Sequence, residues 1–97
     1  MCKKMEIKNE LKKYHINYTQ EEILFTINET PGITLCQLTK LMHLSKGAVS
    51  LCLKKLEEEK LIQKFETFDD KRIFKIHPTK IGKDLYNKIK FIKIIKI

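Results

Sequence analysis

Thr34 and Ser45 each begin a helical pattern, and only a short helix and a tight turn separate them. Gln37 follows Thr34 at the distance of a capping box, in which each residue's side chain satisfies the other's free backbone amide. Leu35, Leu38 and Leu41/Met42 then recur at helical spacing. Met42-His43-Leu44 makes the turn, and Ser45 caps a second helix that is expected to run to about Glu59. Two helices joined by so short a turn form a helix-turn-helix, which fixes most of what the flanking segments can be.

The second helix has two distinct faces. At 100° per residue, Val49, Cys52, Leu53 and Leu56 fall together and form its core side. Gly47, Ser50, Leu51, Lys54 and Lys55 lie on or near the opposite side. Small, hydroxyl and cationic side chains on the first turns suit a major groove. Gly47 lets the backbone approach, Ser50 reaches bases or phosphates, and Lys46, Lys54 and Lys55 neutralise phosphates. Thr34 and Ser45, at the two helix starts, complete the candidate DNA-binding set on these helices. Glu57-Glu58-Glu59 comes where the helix should already be leaving a duplex.

A hairpin is expected next, with arms Ile62 to Phe68 and Ile73 to His77. Ile73-Phe74-Lys75-Ile76 is β-branched and aromatic, and Asp69-Asp70 is a turn signal. Arg72, beside the tip with Lys71, is placed to reach a narrow minor groove. A helix-turn-helix followed by a cationic hairpin is a winged helix.

From Thr34 to Gly82 the chain resembles the DNA-binding lobe of the MarR family of regulators. The resemblance rests on Pro31-Gly32-Ile33-Thr34-Leu35, Leu38, Leu44-Ser45, Val49-Ser50, Leu56-Glu57, Leu61-Ile62, Asp70-Lys71-Arg72 and Thr79-Lys80-Ile81-Gly82. It implies that Ser45 to Lys55 is the recognition helix, that Arg72 is the minor-groove arginine and that Asp70 orients it. It also implies a dimer formed by the terminal helices. Two positions depart from the family's pattern: Lys60 stands where a glycine usually precedes Leu61, and Pro78-Thr79 replaces the usual Leu-Thr.

The 97 residues fit one domain, and 42% hydrophobic with 33% charged residues describes a globular chain. The net charge of +8 points to a polyanionic partner once it sits on a helix-turn-helix. The start of the chain lacks the apolar core of a signal peptide, and no apolar run is long enough to span a bilayer, so a cytoplasmic protein is expected.

Outside the central stretch, a short helix is expected from Met1 to Tyr14, with a weak stripe of Met5, Ile7 and Leu11. Thr19, with Glu22 as its box partner, is expected to cap the next helix, whose core contacts are Ile23, Leu24 and Ile27. Thr79 caps the last helix, where Ile81, Leu85, Ile89 and Ile92 repeat at intervals of three and four. So apolar a terminal helix has little of its own domain left to cover it, and Leu85, Ile89 and Ile92 are expected to form a dimer seam. The lysines between them leave a membrane-surface helix as the other reading.

Other chemistry is thin. Cys36 and Cys52 are expected to be small apolar side chains and Cys2 an exposed one near the start, with redox sensing as a minor alternative. His15, His43 and His77 have no second cysteine or His-x-x-His spacing beside them, so no metal and no cofactor is expected. There is no phosphate loop, nucleophile elbow or acid–base pair, and no enzyme is expected.

The expected fold is therefore mainly α with a small β-hairpin (α+β): a single winged helix-turn-helix domain over residues 1–97, with residues 79–97 as its dimerisation helix. The expected function is sequence-specific binding of double-stranded DNA by a homodimeric transcriptional regulator, with repression as its mode. Its operator would be pseudo-palindromic and A·T-rich, and a small-molecule effector is left open. A protein-docking winged helix is the alternative, favoured by the outward-facing Leu51.

Overall fold

The computed structural model describes residues 3–67 and 73–95. The elements are α1 (Lys3–Lys13), α2 (Tyr18–Glu29), α3 (Leu35–Met42), α4 (Lys46–Glu58), β1 (Ile62–Glu66), β2 (Phe74–Pro78) and α5 (Lys80–Ile95). This is the winged helix-turn-helix expected from the sequence.

The caps explain where most helices begin. Thr34 and Gln37 form both halves of their capping box, at 3.2 and 3.0 Å. The Ser45 hydroxyl accepts the Ala48 amide at 3.1 Å. The start of α2 differs from expectation. Asn17 is its N-cap and Gln20 the box partner, so the helix begins before Thr19.

Three helices end on left-handed residues that are not glycine: His15, His43 and Lys60, with φ of 59°, 55° and 61°. After α4, the Lys60 amide donates to Glu57 and the Leu61 amide to Leu56, the paired bonds of a Schellman ending. After α1, His15 and Ile16 donate to Lys12 and Leu11 in the same way. Each ending aims a buried residue, Leu61 or Ile16, back into the core.

One apolar cluster holds the chain together. Ile23, Leu24 and Ile27 of α2 lie at its centre with Leu38, Val49, Leu53, Leu56, Leu61 and Ile76. The strands pair antiparallel, from Ile62 opposite Pro78 to Glu66 opposite Phe74. On its other edge, β2 pairs through Ile76 with Ile33: the Gly32 amide donates to the Ile76 carbonyl at 2.8 Å, and Ile76 donates to Ile33 at 2.9 Å. Gly32 takes φ of 89° to make this bridge, a conformation that glycine adopts without strain.

The root of the hairpin is fastened to α5. The Thr79 hydroxyl donates to the Lys60 carbonyl at 2.6 Å and accepts the Gly82 amide at 3.1 Å. The Thr79 amide donates to Leu61. A Cβ at Gly82 would overlap the Leu61 carbonyl, so only glycine lets the first turn of α5 come this close.

The last helix corrects one expectation. Leu85 is fully buried and Ile89 is 3% exposed, both within the chain's own core, and Ile92 packs against that core. Leu85 and Ile89 are therefore not an open seam, and Ile92 is half-buried. Helix α1 packs along α5 and covers the stripe with Ile7 and Leu11, and Lys88 reaches Glu10 across the pair at 3.6 Å. Among the described residues, the large apolar side chains that α5 leaves exposed are Ile81, Phe91 and Ile94.

Helix α5 also grips α2. Lys93 pairs with the buried Glu21 at 3.6 Å and lies over the Phe25 ring. Tyr86 packs on Phe25 and donates to the Glu29 carboxylate, which raises the Tyr86 pKa. Burial raises the Glu21 carboxyl above its ordinary 4.5, and Lys93 offsets only part of that rise.

Two stability predictions follow from these positions. Lys60 is exposed and left-handed, so Lys60→Gly should raise unfolding free energy by about 0.5–1 kcal/mol, seen as a melting point a few degrees higher. A β-branched Lys60→Val should lower it. For Glu21, the folded chain binds more proton than the unfolded chain as pH passes from 4.5 through the raised pKa. Stability is therefore lost as pH rises through that window. In urea titrations, wild type should lose stability relative to Glu21→Gln between acidic and neutral pH; a gain instead would contradict the desolvation account.

Candidate nucleic-acid interface

The outward face of α4 follows directly from its buried one. Val49, Leu53 and Leu56 are buried and Cys52 is half-buried, which turns Gly47, Ser50, Leu51 and Lys54 outward. All four are exposed, as is Lys46 on the first turn. Among the described residues no carboxylate pairs with Lys46 or Lys54 within ion-pair distance. Lys55 is turned aside: it is half-buried and pairs with Glu59 at 3.5 Å, one helical turn on. Thr34 and Ser45 serve first as helix caps. Their oxygens accept backbone amides, which leaves each hydroxyl proton free to donate.

The hairpin stands beside this face. Ile62, Lys64, Phe74 and Ile76 share its inner side, and burial declines outward from Ile62 and Ile76 toward Glu66 and Phe74. The wing thus projects beyond the core. The Thr67 amide donates to the Ile73 carbonyl, which carries the ladder one step past the named strands. Asp70, Lys71 and Arg72 lie outside the described residues.

Between the wing and the two helix starts is a cleft of about 300 Å³. Thr34, Lys46 and Ser50 line it from the helices, Lys64 and Phe74 from the strands, and Leu53 and Ile76 form its apolar floor. The structure thus brings Thr34, Lys46 and Ser50 together and adds Lys64, which the sequence reading did not include. Its signal was the alternation of β1, which puts Lys64 on the same side as Ile62. Lys64 also reaches Glu57 of α4 at 3.7 Å, tying the wing to the end of that helix.

Of the cysteines, Cys36 is exposed on the first turn of α3 and borders the cleft. Cys52 is half-buried, and desolvation raises its thiol pKa. Cys2 lies outside the described residues. No group of three or more potential metal-ligating side chains occurs among the described residues. No helix among them is long and apolar enough to cross a membrane.

Comparison with known proteins gives this arrangement its relatives. The MarR family model matches residues 16–74. An uncharacterized helix-turn-helix transcriptional regulator of Bacillus subtilis, YybA, is 32% identical over 77 residues, which is 79% of this chain and 51% of YybA. The transcriptional regulator SarZ of Staphylococcus epidermidis is 30% identical over 79% of this chain and 52% of its own. The chain spans about half the length of these curated relatives. Among solved structures, Streptococcus pneumoniae FabT in complex with DNA superposes with a TM-score of 0.77 at 26% identity, covering 82% of this chain and 57% of FabT. The MepR–DNA complex of S. aureus gives 0.81 at 25% identity, covering 92% of this chain and 73% of MepR.

Proposed function

The chain belongs to the MarR family, and from that premise we propose that it is a sequence-specific DNA-binding transcriptional regulator. The family consists of regulators rather than enzymes. The observation that carries the proposal is the outward face of α4, where exposed Gly47, Ser50 and Lys54 stand beside Lys46 and next to a projecting wing. Helix α4 enters the major groove with its first turns leading. Gly47 admits the sugar–phosphate backbone, Ser50 faces base edges, and Lys46 and Lys54 meet phosphates. The +8 charge of the chain supports a polyanionic partner. Two relatives of this fold, FabT and MepR, are known in complexes with DNA.

The wing takes the second groove. Arg72 enters the minor groove, Asp70 orients it through a charge-assisted hydrogen bond, and Lys71 adds charge beside it. The chain acts as a homodimer and a repressor on a pseudo-palindrome with half-sites about one helical turn apart. Because Leu85 and Ile89 are already buried within the chain's own core, the seam draws instead on exposed Phe91 and Ile94 of α5. A protein-docking reading has one observation in its favour, the 70% exposure of Leu51.

Binding titrations on duplexes with A·T-rich or G·C-rich flanks test this reading. Arg72→Ala should cost more than about 1 kcal/mol on A·T-rich flanks and little on G·C-rich ones. Lys54→Ala should weaken binding to all sequences alike. Equal binding by wild type and Arg72→Ala on both flanks would remove the wing from the interface.

A further inference from the structure

Among the described residues Leu51 is the most exposed of the large apolar side chains, at 70%, and it lies at the middle of the outward face of α4. Single exposed leucines are common on protein surfaces and ordinarily require no explanation. The surroundings of this one are different. Gly47 lies one turn before it on the same stripe and has open space where a side chain would begin. Leu51 is therefore the first bulky group that anything lying along this stripe meets. Ser50 is its neighbour, and the exposed cations Lys46 and Lys54 stand on either side along the chain.

A surface with an apolar tip between two cations complements a partner that has an apolar group within a negative groove. The major groove of double-stranded DNA is such a partner. Each phosphate-flanked base pair presents donors and acceptors there, and the apolar group among them is the thymine C5-methyl. We infer that Leu51 is a specificity-determining residue that packs on a thymine C5-methyl in the major groove, so that the chain reads a thymine at that position by its methyl group. The inference rests on the proposed DNA-binding function. It assigns to base readout the residue that a protein-docking surface would otherwise claim. Lys46 and Lys54 hold the helix against the phosphates, Gly47 sets the depth of approach, and the leucine excludes water from the methyl.

The test uses a duplex selected by the full chain from a random pool. Each thymine of the selected half-site is then replaced singly by deoxyuridine, which keeps the pairing edge and lacks the methyl. Wild type should show one thymine in the half-site where the replacement weakens binding about fourfold, the factor corresponding to one buried methyl-sized group. Leu51→Ala should bind the thymine and deoxyuridine duplexes alike at that position. The side chain is exposed and alanine favours helix, so the variant should keep the wild-type melting profile. If no thymine responds in wild type, or if Leu51→Ala keeps the wild-type ratio, the inference is overturned while DNA binding stands. A chain that selects no duplex at all overturns the DNA-binding reading and this inference with it.

Discussion

The close approach of Gly82 to the Leu61 carbonyl is the contact on which the arrangement of this chain depends. It joins the end of α4, the root of the wing and the start of α5 at one place. Thr79 completes the joint by bonding to Lys60, Leu61 and Gly82 at once. From the other side, Ile76 pairs with Ile33 immediately before α3 begins. The recognition face and the wing are thus held by backbone hydrogen bonds and buried side chains. The exposed groups that would meet a ligand are left with little structural work. This separation lets the outward face of α4 change without loss of the fold.

Capping and periodicity made much of this legible beforehand. Thr34 with Gln37, Ser45, and the Val49–Leu53–Leu56 face are local features, and each formed as its spacing required. The expected start of α2 at Thr19 was displaced for a physical reason. Asn17 with Gln20 and Thr19 with Glu22 both have capping-box spacing, and the chain reversal through His15 and Ile16 selects the earlier pair. Helix α5 shows a different limit. Its stripe announced a buried face, but periodicity does not say what covers that face. The weak pattern of α1 concealed a partner, because Ile7 and Leu11 join Leu85 and Ile89 in one buried cluster as α1 and α2 both pack on α5. The cleft beside α4 depends on strand placement, so Lys64 joined it only in three dimensions.

The charges have unequal roles. Lys55, Lys64, Lys88 and Lys93 are engaged with carboxylates of their own chain, whereas Lys46 and Lys54 are exposed on the candidate interface. Glu57 and Glu59 lie at the far end of α4 and neutralise cations there. The lysines of α4 left unpaired among the described residues, Lys46 at its first turn and Lys54 two turns on, therefore lie ahead of the acidic end of the helix. The first turn is the end that a helix-turn-helix presents to a duplex.

The most direct test of a DNA-reading face is the salt dependence of wild-type binding to duplex DNA. Each neutralised phosphate contributes a slope of about −0.9 to the plot of log affinity against log salt. Lys46, Lys54 and the wing cations acting together predict a straight line with a slope of roughly −3 or steeper. A line that is nearly flat would contradict the account and place the driving force in an apolar docking surface instead.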